Sequence, residues 1–202
     1  MTVWRERQPL ILASQSAARK SLLANAGIAV ETIPADIDER AIQQTSGLKH
    51  PGEIAALLAC EKATFISVKF PERYVVGADQ TLALGEQLFS KPTNRATAAK
   101  QIATLSGQTH ALHSAVSVVK DGAMLFSHVS VAQMTMRPLT DSEIAAYIDE
   151  AGDAVCASVG AYQLERTGVH LFERIDGDHF TILGLPLLPL LGFLRSRNLL
   201  AV

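Results

Sequence analysis

The stretch LILASQSAARKSLLANAGIAVETI, residues 10–33, reads as a strand, a polar turn, a helix and a second strand. Leu10-Ile11-Leu12-Ala13 is an unbroken apolar run too short for a helix, the pattern of a strand buried on both faces. It ends at Ser14-Gln15-Ser16, and Ser16 stands where a helix N-cap belongs, its hydroxyl able to accept from a free N–H of the first turn. Leu22, Leu23 and Ala26 mark the inner face of the next helix. Asn25-Ala26-Gly27 supplies its stop, and residues 28–34 return as a strand. Strand, helix and strand in succession are the unit from which α/β sheets are built.

Outward from this unit the alternation continues. Residues 35–40 form a polar, acidic loop, and Pro51-Gly52 opens a helix over 53–67 with Ile54, Leu57, Leu58 and Phe65 as its apolar stripe. Residues 73–78 form a buried strand running into Asp79. A helix over 94–105 comes after Lys91-Pro92 and closes at Ser106-Gly107. Asp121-Gly122 joins two strand-like runs, 110–120 and 123–136, as a hairpin. Thr140 caps a helix through Glu150, Ala161 to Phe172 is strand-like, and a leucine-rich helix ends the chain. The expected fold is therefore α/β, a mixed central sheet flanked by helices, as one domain over residues 1–202.

Composition narrows the function. An apolar fraction of 48% and a charged fraction of 19% belong to a globular chain. A net charge of −2 argues against a nucleic-acid polymer as partner, since binders of polyanions carry a basic excess. A single nucleotide needs only a few local cations and stays allowed. Cys60 and Cys156 lack CxxC spacing and read as small buried residues in a reducing compartment. The apolar stretch Leu183 to Leu194 contains Pro186 and Pro189 and falls short of a membrane span. A soluble cytoplasmic protein with no membrane partner is expected.

Four segments carry candidate chemistry. The turn Ser14-Gln15-Ser16-Ala17-Ala18-Arg19 opens a helix, whose free N–H groups, hydroxyls and arginine suit a phosphate; equally, it is a capped helix with solvated basic residues. Lys62, four residues after Leu58, either snorkels to the surface or aims into a cleft. Asp79, at the end of a buried strand and next to Gln80, stands where α/β sheets place ligands, able to hold a divalent cation or take a proton from water; its other reading is a turn former. Lys91 comes soon after. Asp36-Ile37-Asp38-Glu39 is an acidic cluster with oxygen donors for a hard cation, or a solvated loop. His110 and His113 point to opposite faces of one strand and make poor joint metal ligands.

The strings LILASQSAARKSLL, ADIDE, CEKA, VVGADQTL, SKP, LSGQTH, GAYQLE and GLPL, in this order, resemble the Maf family of nucleotide pyrophosphatases over nearly the whole chain. The resemblance implies a two-lobed fold with a deep cleft, akin to inosine triphosphate pyrophosphatases. It implies hydrolysis of a nucleoside triphosphate between its α- and β-phosphates with a divalent cation such as magnesium, manganese or cobalt. By position, Asp79 corresponds to the catalytic acid, Glu39 to a second essential acid that shares the metal with it, and Ser14, Arg19, Lys62 and Lys91 to ligands of the triphosphate.

Three positions depart from the commoner family pattern: Ala18 replaces an arginine, Gln80 a threonine and Glu165 a glutamine. The last two, with the closing LFERIDGDHFTILGLPL, resemble the branch acting on 7-methyl-GTP more than the branch acting on dTTP and UTP. Guanine offers two adjacent donors on its Watson–Crick edge, and a carboxylate at Glu165 can accept both. Uracil and thymine offer one donor between two acceptors, which suits an amide. Methylation at N7 makes the base cationic, favouring Glu165 further, and the face of Tyr162 could add a cation–π contact. The expected partner is a small-molecule nucleoside triphosphate, with a homodimer left open as an assembly. The rivals are a dTTP/UTP pyrophosphatase of the same fold and a nucleotide-binding regulator of septum formation without turnover.

Overall fold

A computed structural model describes residues 3–202. The strand–helix–strand unit is present: β1 (Leu10–Leu12), α1 (Ala17–Asn25) and β2 (Val30–Thr32), with β1 and β2 parallel and Leu10 opposite Val30. Ser16 caps α1 by accepting from the Arg19 N–H at 3.3 Å. Next come α2 (Glu39–Ser46), α3 (Pro51–Ser67), β3 (Val75–Leu84) and β4 (Gln87–Phe89). After them stand α4 (Arg95–Leu105), β5 (Thr109–Lys120), β6 (Ala123–Met136) and α5 (Asp141–Ala151). The last elements are β7 (Phe172–Asp176), α6 (His179–Ile182) and α7 (Leu187–Ser196). Among the described residues the strands make one mixed sheet in the order β2-β1-β3-β5-β6-β7, with β4 also on β3. β1 pairs with β3 in parallel, whereas β4 and β7 run antiparallel to their neighbours.

The described residues divide into two compact units, one made of residues 3–80, 114–130 and 183–202, the other of 81–113 and 131–182. In the first, Ile11, Ala13, Ala63, Ile66, Val75 and Val119 form a buried cluster, and Ala55, Ala59 and Ala115 a second one. The second unit has its own core around Leu82, Ile102, Leu112, Met134 and Ile148.

Four expectations are corrected. The segment expected as an acidic loop over 35–40 ends in a helix: Asp38 accepts from the Ala41 N–H at 2.9 Å, and Glu39 is the first residue of α2. No residue of α2 is buried, so the helix left no apolar stripe in the sequence. β3 does not stop at residue 78 but runs to Leu84, and Gly85, with φ of +58°, turns it into β4, an unexpected strand. The segment expected as a strand over 161–172 is instead two 3₁₀ turns, 159–161 and 167–171, before β7. Gly160 and Ala161 both adopt positive φ there, and Gly168 lies so near Gln163 that a Cβ would meet its carbonyl at 2.4 Å. Tyr162 is a core residue rather than a stacking platform: it is 5% exposed, hydrogen-bonded to His110 and edge-on to Phe172.

Two further local signals hold. Thr140 and Glu143 form a reciprocal capping box on α5, and Asp121 and Gly122 both have positive φ, as the tight turn between β5 and β6 requires. Cys60 and Cys156 are both free but half-buried, not the buried residues expected; no described helix is long and apolar enough to cross a membrane.

Candidate active site

Asp79 sits in the middle of β3, yet the rule that ligands gather beyond strand ends still applies to it. Its parallel neighbour β1 stops at Leu12, which pairs with Val76. Past that point the Ala13 N–H makes one more bond to the Val76 carbonyl, and then Ser14 and Asp79 extend beyond the paired region. Both are 8% exposed.

Lys62 reaches Asp79 because α3 lies directly on β3. A Cβ on Gly77 would stand 1.9 Å from the Ala59 carbonyl oxygen and 2.9 Å from the Ala63 nitrogen, so only glycine lets this helix backbone approach the strand. Lys62, in the turn between those two residues, is thereby set against the strand two positions beyond Gly77. Its Nζ donates to Asp79 Oδ1 at 2.6 Å and contacts Glu39 Oε1 at 2.9 Å. The ammonium is therefore buried between two carboxylates and does not snorkel; the lysine and aspartate side chains are each 11% exposed, that of Glu39 50%.

Arg19 enters from the first turn of α1. Its Nη1 donates to the Ala78 carbonyl at 2.8 Å and to Ser14 Oγ at 3.2 Å, and its Nε to the Gly184 carbonyl at 2.8 Å. Ser14 Oγ also accepts from the Ser16 N–H at 3.2 Å. Beside Asp79, the Gln80 amide donates to the buried Ser114 hydroxyl at 2.8 Å.

Burial shapes the charges. Loss of water raises the Asp79 carboxyl above the ordinary aspartate range, with Lys62 and then Arg19 pulling it back down. Burial likewise lowers the Arg19 guanidinium, and the negative charges of Asp79 and Glu39 oppose that. The result is a carboxylate with raised proton affinity, a second and more exposed carboxylate, and two cations, all within one compact unit.

Of the residues expected from sequence, Ser14 and Arg19 are bonded to each other, Glu39, Lys62 and Asp79 form a second bonded group, and the Ala78 carbonyl that Arg19 holds immediately precedes Asp79. Ala18 is half-buried at the start of α1, and Gln80 is tied to Ser114. Lys91 and Glu165 belong to the other unit, where both are exposed. Sequence reasoning gave no part to Gly77, Ala78, Ser114 or Gly184. Gly77 and Gly184 were visible inside the strings VVGAD and GLPL, but a backbone carbonyl or a missing Cβ has no residue-type signature.

The two carboxylates also suit a hard cation. Asp79 and Glu39 supply oxygen donors that converge on one point, now taken by the Lys62 ammonium, and a magnesium-like ion is commonly held by one or two carboxylates together with substrate phosphates. No cluster of three or more acidic, histidine or cysteine ligands occurs among the described residues.

Residues 9–197 match the family described as Maf-like protein. A protein of Rhodopseudomonas palustris named nucleoside triphosphate pyrophosphatase is 65% identical over 202 residues, covering 100% of both chains. A Rhizobium etli protein named 7-methyl-GTP pyrophosphatase is 52% identical over 190 residues, covering 93% of this chain and 95% of its own. Among solved structures, a HAM1 protein from Coxiella burnetii overlaps 63% of this chain and 72% of its own, at 17% identity and a TM-score of 0.43.

Proposed function

The chain belongs to the family of Maf-like proteins, and we propose that it is a nucleoside triphosphate pyrophosphatase in which Asp79 is the catalytic carboxylate and 7-methyl-GTP the favoured class of substrate. The observation that carries this reading is the buried Lys62 ammonium shared by Asp79 and Glu39, beside the Arg19 cradle. A triphosphate needs cations to hold it and carboxylates to handle water and metal, and both are brought together here.

In the proposed reaction a water oxygen attacks the α-phosphorus and gives a proton to Asp79. The bond from that phosphorus to the oxygen bridging the β-phosphate breaks, and the electron pair leaves with pyrophosphate. Arg19, Lys62 and Lys91 hold the phosphates and offset the charge that grows on them in the transition state. Lys62 would exchange a carboxylate for a phosphate oxygen as substrate enters. Asp79 and Glu39 would hold the divalent ion, which supplies charge neutralisation for the departing pyrophosphate when bound.

The base preference rests on Gln80 and Glu165, and the 52% identical 7-methyl-GTP pyrophosphatase supports it. Glu165 is exposed and makes no ion pair among the described residues, so its carboxylate is available to two guanine donors.

The test is a product assay over 7-methyl-GTP, GTP, dTTP and UTP with magnesium, manganese and cobalt, run on wild type and on Asp79→Asn. Wild type should release monophosphate and pyrophosphate, with the highest kcat/KM on 7-methyl-GTP. Asp79→Asn should bind nucleotide but lose about 10²-fold or more in kcat, the scale of lost general-base assistance. Near-normal turnover by the variant would remove Asp79 from the mechanism. A wild-type preference for dTTP would overturn the base assignment, and tight binding without pyrophosphate release would make the protein a nucleotide-binding regulator.

A further inference from the structure

Arg19 is held at two of its three guanidinium nitrogens. Nε is fixed by the Gly184 carbonyl, and Nη1 by the Ala78 carbonyl and Ser14 Oγ. Guanidinium has five N–H groups in a rigid planar fork, and these three bonds use the Nε side and both hydrogens of Nη1. Among the described residues nothing accepts from Nη2, so its two hydrogens remain for a ligand.

Gly184 contributes more than a carbonyl. Its φ is +86°, a region that L side chains rarely adopt. A Cβ there would stand 3.1 Å from Arg19 Nη2 and 3.2 Å from Nε, and so would press on the guanidinium itself. Glycine is therefore favoured twice at this position, by the positive φ of the turn and by the close approach, which a Cβ would meet only by displacing the guanidinium. Buried leucines anchor the turn on its C-terminal side: Leu185, Leu187 and Leu190 pack inward as the chain enters α7. Gly184 lies 165 positions from Arg19 in sequence, and the third partner, Ala78, immediately precedes Asp79. One guanidinium thus joins the C-terminal segment to the strand that carries the proposed base.

We propose that Gly184 is a positioning residue for the reaction: its carbonyl and its missing side chain set the Arg19 fork so that the Nη2 edge faces the phosphate of the substrate. The proposal rests on the reading of Arg19 as a phosphate ligand, and adds that the orientation of that ligand is imposed from the other end of the chain.

A double-mutant cycle on the full-length protein tests it, because residues acting through one group are non-additive. Gly184→Ala should lower kcat/KM by about tenfold in the wild-type background, and by less than about twofold when Arg19 is already alanine. Gly184→Asn is the second variant, since asparagine tolerates positive φ better while its Cβ still crowds the guanidinium. Each protein is assayed below its melting temperature on the nucleotide ranked first in the panel. Each is also titrated with the non-hydrolysable α,β-methylene analogue of GTP, a readout that survives loss of turnover. The expected result is a loss of activity and of analogue affinity that depends on Arg19. Equal losses in both backgrounds would show that Gly184 serves only the fold and overturn the proposal. Wild-type activity and affinity in Arg19→Ala alone would overturn the reading of Arg19 itself, an outcome distinct from the first.

Discussion

A lysine whose side chain is 11% exposed is held in place by charge, and here two carboxylates within 2.9 Å supply it. This sets what Lys62 can do at the scale of a single residue. Its ammonium touches both carboxylates that the proposed reaction uses, so under that proposal its loss should be felt in the transition state. Lys62→Ala should reduce kcat/KM by about 1.5–3 kcal/mol, the range for hydrogen bonds to charged groups, as steady-state kinetics would measure. Unchanged kinetics would mean that Lys62 only compensates Asp79 in the folded protein. Glu165 gives a different prediction, one of ratio. Under the proposed base contact, Glu165→Gln would set an amide N–H against one guanine donor and lose one hydrogen bond to a charged acceptor, at a cost of about 0.5–1.5 kcal/mol at this exposed position. The ratio of kcat/KM for 7-methyl-GTP to that for UTP should fall accordingly. Equal losses on both nucleotides would move Glu165 out of base recognition.

At the scale of elements, the contact between α3 and β3 decides whether the site exists. Ala59 and Ala63 of the helix meet Gly77 of the strand backbone to backbone, and Lys62 and Asp79 stand at the edge of this contact. Gly77→Ala would drive a methyl group into the backbone of α3, which cannot step aside as a flexible side chain could. Thermal or urea unfolding should show a loss of about 1–3 kcal/mol, the usual scale of overpacking. Activity measured well below the melting temperature should fall as well, because any retreat of α3 lengthens the 2.6 Å contact between Lys62 and Asp79. A stable, fully active Gly77→Ala would show that the helix has room to move. The elements legible in advance were those with a strong local signature: the Ser16 and Thr140 caps, the Asp121-Gly122 turn and the apolar stripe of α3. Those missed lacked one. α2 buries nothing, β4 is three residues long, and the 3₁₀ turns over 159–171 owe their path to close packing at Gly160 and Gly168.

At the scale of the whole molecule, the chain ends meet within one unit: Trp4 bridges to Leu200, and the Ala201 N–H donates to the Val3 carbonyl. The other unit holds its own buried titratable group. His110 is 1% exposed with Nε2 2.7 Å from the Tyr162 hydroxyl, and burial lowers its pKa to about 4. A histidine depressed in the folded state is protonated first in the unfolded chain, so stability present above the unfolded value is lost as pH falls toward about 4. The full shift corresponds to roughly 3 kcal/mol. Urea unfolding between pH 7 and pH 4.5 should therefore show a smaller decline for His110→Gln than for wild type. Identical slopes would place the acid sensitivity in other groups.

The sequence by itself determined the alternation of strands and helices, the caps and turns that bound them, and the residue types from which a phosphate and metal site can be made. These are local properties, set by backbone preference and by the periodicity of apolar side chains. Only the tertiary structure decided that Lys62 turns inward, that Glu39 reaches it from the start of a helix, and that Asp79 lies beyond the end of β1 rather than at the end of its own strand. It alone assigned Arg19 its partners at Ala78 and Gly184, because a carbonyl acceptor and a space too small for a methyl group are properties of where the backbone goes, and every residue type offers the same carbonyl.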